Sequence, residues 1–190
     1  GEGDPILWLT GGLRRAALGF GFMERLAERH LVIAPDYPPV QTIGEYLVAL
    51  DAILQAEGVE RVALGGQSYG GMVAQAFLAR RPLVVDRLIL SSTGPADYGP
   101  AARLVDLAFI GLVRLLPLSW VRQLFAAMLL KVVSSPEAER AEWQDAIRSI
   151  ICRDLTRAEM ISHFAVAADL IRISARTAKR PRSGPFSYPQ

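Results

Sequence analysis

Cysteine and histidine are nearly absent from this chain: 190 residues hold one cysteine, Cys152, and two histidines, His30 and His163. A single cysteine cannot close an intramolecular disulfide, which excludes a disulfide-stapled secreted scaffold and fits a reducing, cytoplasmic setting. Cys152 stands in a helical stretch and reads as a small apolar filler rather than a nucleophile. Two histidines and one cysteine so far apart form no ligand cluster, so no metal is expected. Neither a P-loop nor a G-x-G-x-x-G is present, so no nucleotide is implied and the expected cofactors are none. Long apolar runs are missing as well. The most apolar region, Leu104 to Leu130, is broken by Arg114, Pro117 and Arg122, short of the roughly 18 residues of a membrane span. It reads as amphipathic helices.

The composition that remains suits one globular domain: 51% of the residues are hydrophobic, enough to bury a core. The net charge of +2 is uneven. Arg172, Arg176, Lys179, Arg180 and Arg182 crowd the last 20 residues, which hold no acid, so the rest of the chain is net negative. A basic tail alone is no nucleic-acid footprint, and no nucleic-acid partner is expected. No secretory signal is visible, and Gly1 suggests that something has been removed ahead of it.

Along the chain, Pro5 to Thr10 and Leu31 to Ala34 are short apolar runs closed by Gly11-Gly12 and Pro35-Asp36, as in buried strands. Phe20, Met23, Leu26 and Ala27 recur at helical spacing between them. Ile43, Leu47, Leu50, Ile53 and Leu54 do so after the second run, as far as Gly58. A strand at Arg61 to Leu64, a helix from Tyr69 to Arg80 and a strand at Arg87 to Leu90 follow. Alternating strands and helices with short connections imply a parallel sheet covered by helices. From about Ala101 to Ile173 the pattern is helical, with an N-cap expected at Ser135-Pro136 and a capping box at Thr156 to Glu159. Three regions result: 1–99 as an α/β core, 100–173 as a helical block, and 174–190 as a disordered or extraneous tail.

The stretch Gly65-Gly-Gln-Ser-Tyr-Gly-Gly71 lies between a strand and a helix. A serine hydroxyl is a poor nucleophile, so an enzyme that uses one must expose it and supply donors for the oxyanion that forms. A sharp strand-to-helix turn does both, and it needs small residues two before and two after the serine, here Gly66 and Gly70 around Ser68. A glycine-rich turn with an incidental serine is the plainer account.

From Pro5 to about Gly94 the chain resembles the α/β-hydrolase superfamily. Val32-Ile-Ala-Pro-Asp36 resembles its fourth strand, Gly65 to Met72 its nucleophile elbow, and Arg87 to Ser91 its sixth strand. Thr10-Gly11-Gly12 sits where the family has its oxyanion loop, with Thr10 in place of the usual histidine. The resemblance implies a partial α/β-hydrolase fold: a parallel sheet of about four strands flanked by helices and followed by a helical cap. It implies Ser68 as nucleophile and the backbone N–H groups of Gly12 and Tyr69 as oxyanion donors. The cap, from Leu155 through Asp169, is similar to the maspardin-like branch.

The family's acid and base come after later strands, and no such strand follows here. The candidate acid is Asp97, whose plainer reading is a turn residue. The candidate base is His163, whose plainer reading is a flank position on an amphipathic helix; His30 precedes the serine and is expected at the surface. Both ends are therefore expected to be truncated or frameshifted. The leading expectation is a serine hydrolase of carboxylic ester or acyl substrates, inactive in this chain for want of a base. The alternative is a non-catalytic α/β-hydrolase-like binding protein. Trp120, Phe125 and Trp143 would present a patch to its partner, although packing against the sheet is the favoured account of these aromatics. A third reading has another chain supply the missing strands and histidine.

Overall fold

In a computed structural model of the chain, residues 1–95, 98–132 and 137–178 are described. Four strands, β1 (Asp4–Leu9), β2 (His30–Ile33), β3 (Val62–Gln67) and β4 (Val85–Ser91), form one sheet in the order β2-β1-β3-β4. Every pairing is parallel. Parallel neighbours need crossovers, and helices α1 (Phe20–Ala27), α2 (Ile43–Ala56) and α3 (Tyr69–Arg80) supply them. The sequence reading placed these strands within three residues of their bounds and α3 on its own.

Alternation along β1 divides its side chains between two faces. Leu7 and Leu9 enter the main core with α2, α3 and the tyrosines Tyr37, Tyr46 and Tyr69. Trp8 points the other way and packs on Phe22 of α1, ring centroids 4.7 Å apart. Helix α2 opens on a capping box, in which Thr42 accepts from Glu45 N while the Glu45 carboxylate accepts from Thr42 N. The left-handed Gly58, φ +67°, closes the turn that follows it.

Beyond β4 the chain is helical: α4 (Gly99–Leu115), α5 (Leu118–Val132), α6 (Arg140–Ser149), a π-helical turn (Ile150–Asp154) and α7 (Arg157–Ala178). These helices build a second core around Phe109, Val113, Val121, Phe125, Ile151, Leu155, Met160 and Phe164. Helix α7 belongs to both cores. Met160 and Phe164 face the cap, whereas Val166, Ala167 and Leu170 face the sheet layer. Its Asp169 accepts from the N–H of Ile43, an orphan donor at the start of α2. Arg122 donates to the carbonyls of Cys152 and Leu155, and Arg157 to that of Leu116, so arginines close the loose helix ends of the cap.

Several expectations need correction. Cys152 is exposed rather than a core filler, because the π-helical turn rotates it outward while Ile151 takes the buried position. Of the three cap aromatics only Phe125 is buried, and it packs within the cap core; Trp120 and Trp143 are exposed. Helix α7 runs on through Ala178, into the segment expected to lack regular structure. The capping box of Thr156 and Glu159 is formed. The N-cap expected at Ser135-Pro136 lies outside the described residues.

Two glycines make opposite predictions. A methyl group at Gly70 would lie 2.2 Å from the carbonyl oxygen of Leu9 and 2.4 Å from that of Thr10, both backbone atoms that cannot yield. Gly111, inside α4, has nothing within 4 Å of such a methyl. Gly70→Ala is expected to lower unfolding stability by about 1–3 kcal/mol or more through overpacking. Gly111→Ala is expected to raise it by about 0.5–1 kcal/mol through helix propensity. Urea unfolding of both variants checks the pair.

Candidate active site

Ser68 follows the last residue of β3 and caps the N-terminus of α3 with φ 50° and ψ −118°. A non-glycine residue held there costs on the order of 1–3 kcal/mol. Its neighbours enforce it: an added Cβ at Gly66 would sit 2.7 Å from Gly71 Cα, and one at Gly70 would meet β1. Ser68 N donates to Ser91 O (3.0 Å), while Ser68 O accepts from Gly71 N (3.0 Å) and Thr93 Oγ1 (2.7 Å). The main chain of the turn is thereby tied to β4 and α3, and the side chain is left exposed.

The loop after β1 comes up against this turn. A methyl group at Gly11 would stand 3.8 Å from Ser68 Cβ. Among the described residues no acceptor takes the N–H of Gly12 or of Tyr69, as oxyanion donors require. Tyr69 N also belongs to the first turn of α3, where the helix dipole favours negative charge.

Arg14 holds this loop in place. Its backbone is left-handed, φ 66°, its N–H closes a turn onto Gly11 O (3.0 Å), and its carbonyl accepts from Tyr37 N (3.3 Å). The side chain is only 1% exposed, and Nη2 donates to Pro38 O (2.6 Å), Tyr37 O (3.3 Å) and Ser162 Oγ on α7 (3.2 Å). No carboxylate among the described residues pairs with it. Carbonyl dipoles and the Tyr37 ring face, 5.7 Å away, carry its charge. Above it, Tyr37 donates to Thr10 O and stacks at an angle on Tyr69. Burial pushes the Tyr37, Tyr46 and Tyr69 hydroxyls well above the ordinary phenol range, so all three stay protonated.

A cavity of about 280 Å³ opens beside Ser68, between the turn and the cap, and its wall includes Gly12, Tyr69, Asp106, Phe125 and His163. His163 therefore faces the same space as Ser68. Its ring stacks on Tyr69 with centroids 4.4 Å apart, and a methyl group at Gly12 would press to 2.7 Å from Cε1. This is not the solvent flank of an amphipathic helix; the residue sits on the seam of α7 between the two cores. Its Nδ1 is sealed from solvent without a hydrogen-bond partner. Burial, aided by the charge of Arg14, pushes the imidazole down to about 3 from an ordinary 6.5. No hydrogen bond joins it to Ser68 among the described residues.

The other candidates stand apart. His30 begins β2, its ring 3.3 Å from Asp4 O at the far end of the strand from the turn. Asp97 lies outside the described residues. Two residues of the site carry no motif in the sequence: Arg14, and Asp106, whose one signal is an acid within an apolar helix. Burial pushes the Asp106 carboxyl up to about 6. Among the described residues no group of three or more histidine, cysteine or acidic side chains is placed to hold a metal. No described helix is long and apolar enough to cross a membrane.

The family model described as alpha/beta hydrolase fold matches residues 4–165. An uncharacterized protein of Mycobacterium tuberculosis is 35% identical over 103 residues, 50% of this chain and 30% of that protein. A thermophilic esterase from Thermogutta terrifontis superposes with a TM-score of 0.77 at 23% identity, over 90% of this chain and 64% of its own. A hydrolase from Pseudomonas aeruginosa PA01 gives 0.74 at 22% identity, over 87% and 64%. The enol-lactonase from Burkholderia xenovorans LB400 gives 0.71 at 19% identity, over 89% and 66%. At these identities the solved structures speak for the fold alone. The chain spans less than two thirds of the first two and matches under a third of the curated relative.

The buried imidazole has a consequence for stability. His163 is neutral in the folded chain down to about pH 3 but takes a proton near 6.5 when unfolded. The unfolded state thus binds more protons between those values, and stability is full above 6.5 and falls as pH drops toward 3. Urea unfolding from pH 7.5 to 4 is expected to show this slope, reduced in His163→Phe. The His163 ring signals in NMR are expected to stay flat over the same range.

Proposed function

From the chain's membership of the α/β hydrolase fold family, we propose that it carries an acyl-hydrolase site built on Ser68, which attacks the carbonyl of a carboxylic ester or related acyl substrate. The observation that carries this reading is the backbone of Ser68. Strain is retained in a fold where the surroundings over-determine it and the geometry has a use, and here it lifts one hydroxyl above the sheet's carboxyl edge beside two free N–H groups. In the proposed reaction Ser68 Oγ bonds to the acyl carbon, and the carbonyl oxygen becomes an oxyanion held by the N–H groups of Gly12 and Tyr69. The alcohol then leaves, and water releases the acid from the acyl-enzyme.

A base must take the serine proton, and the described residues offer a poor one. His163 shares the cavity, but an imidazole whose conjugate acid has a pKa of about 3 has little proton affinity at neutral pH. Its ring is also held flat against Tyr69 instead of being aimed at Ser68 by a carboxylate. The chain alone is therefore proposed to turn esters over slowly. Exposed Leu104, Leu115 and Trp120 on the cap support the second reading, an α/β-hydrolase-like binding protein. The membership of the family and the fold do not themselves name a substrate.

Steady-state hydrolysis of p-nitrophenyl acetate separates these readings. The native chain is expected to exceed the water reaction by no more than roughly 10³–10⁴, the residue left by an oxyanion hole and binding without a working triad. Ser68→Ala is expected to abolish the acyl-enzyme seen by mass spectrometry, while the part owed to the oxyanion hole and binding remains. Triad-like turnover would sink the claim that a base is lacking, and an acyl-enzyme that survives Ser68→Ala would sink the claim for the serine.

A further inference from the structure

The cavity at Ser68 is lined mainly by apolar side chains, Met72, Leu129, Ala167 and Ile171 among them. Asp106 interrupts that wall with its one acid, beside the hydroxyl-bearing Ser92 and Tyr98. It is the only acid between Ala101 and Leu130, and α4 places it half-buried at the cavity. Among the described residues its carboxyl has neither a hydrogen-bond donor nor a cationic partner. Arg14, the buried cation beneath Tyr69, is committed to Tyr37 O, Pro38 O and Ser162 Oγ, and does not pair with it. Burial alone accounts for the upward push on the carboxyl, with no charge or hydrogen bond opposing it. A second polar atom on the same wall, His163 Nδ1, is sealed from solvent and also without a partner.

A half-buried carboxyl on a largely apolar wall, paired with no described side chain, is partly stripped of water, and a bound donor offsets that loss. An ammonium does this best, because a charge-assisted hydrogen bond is roughly twice as strong as a neutral one. We propose that Asp106 selects acyl substrates whose acyl chain carries a cationic ammonium group, held by the carboxyl while the carbonyl lies at Ser68. The proposal rests on the reading of Ser68 as the reacting group. It assigns Asp106 a role in choosing the substrate and none in the chemistry. Met72, Leu129 and Ile171 on the same wall suit the methylenes between carbonyl and ammonium, and an apolar chain of the same length would lack the charged contact.

Two isosteric probes test this: butylboronic acid and 3-aminopropylboronic acid, each able to add its boron to a serine hydroxyl with loss of water. Calorimetric titration at pH 7.5 is expected to show the ammonium probe binding the native chain about tenfold more tightly, as one charge-assisted contact implies. Asp106→Asn is expected to bring the two affinities together. Equal affinity for the native chain overturns the proposal, as does a preference that survives Asp106→Asn, or binding of neither probe at millimolar concentration. Ser68→Ala separates the two levels. Loss of both affinities in that variant agrees with the serine reading, whereas unchanged affinities with the preference intact leave Asp106 as the selecting group and overturn the role of Ser68.

Discussion

The backbone at Ser68 is the constraint on which the rest of the site depends. A left-handed, non-glycine residue between a strand and a helix persists only if both flanks approach more closely than ordinary side chains permit. Gly66 lets β3 meet Gly71 of α3, and Gly70 lets α3 meet the carbonyls of Leu9 and Thr10 on β1. Those contacts bring the start of α3 against the end of β1. The loop after β1 is thus carried to Ser68, and Gly12 and Tyr69 line one cavity with it. Exposed hydroxyl, free donors and helix dipole all follow from one tight turn.

The second organising element is α7, which closes the site from above by serving two cores at once. Its sheet-facing residues and its cap-facing residues lie on different sides of the helix, and Ser162 and His163 fall on the seam. Ser162 receives the guanidinium of Arg14, and His163 lies on Tyr69. The cap is therefore fastened to the loop after β1 by a buried cation and to the N-terminus of α3 by a stacked ring. The same packing that fastens His163 against Tyr69 lowers its basicity.

Much of this architecture was legible in the sequence because it rests on local signals. Continuous apolar runs gave the parallel strands, 3.6-residue spacing gave α1 to α3, and paired glycines around a serine gave the turn. What escaped notice depends on distance across the fold. Arg14 carries no local signal, because its partners Tyr37, Pro38 and Ser162 are distant in sequence, Ser162 by 148 positions. Asp106 is an acid in an apolar helix, a visible signal whose meaning needs the cavity. Cys152 and Trp120 were misjudged because periodicity cannot foresee a π-helical turn or tell which side of a cap helix meets a partner core.

Everything proposed for the site turns on Ser68 being the reactive hydroxyl. Incubation of the folded chain with a fluorophosphonate, followed by peptide mass spectrometry, tests it most directly. A slowly accumulating adduct confined to Ser68 is expected, since the phosphonyl oxygen would gain the N–H groups of Gly12 and Tyr69 even where the base is poor. No adduct at Ser68, or adducts spread over other serines at comparable rates, would contradict it.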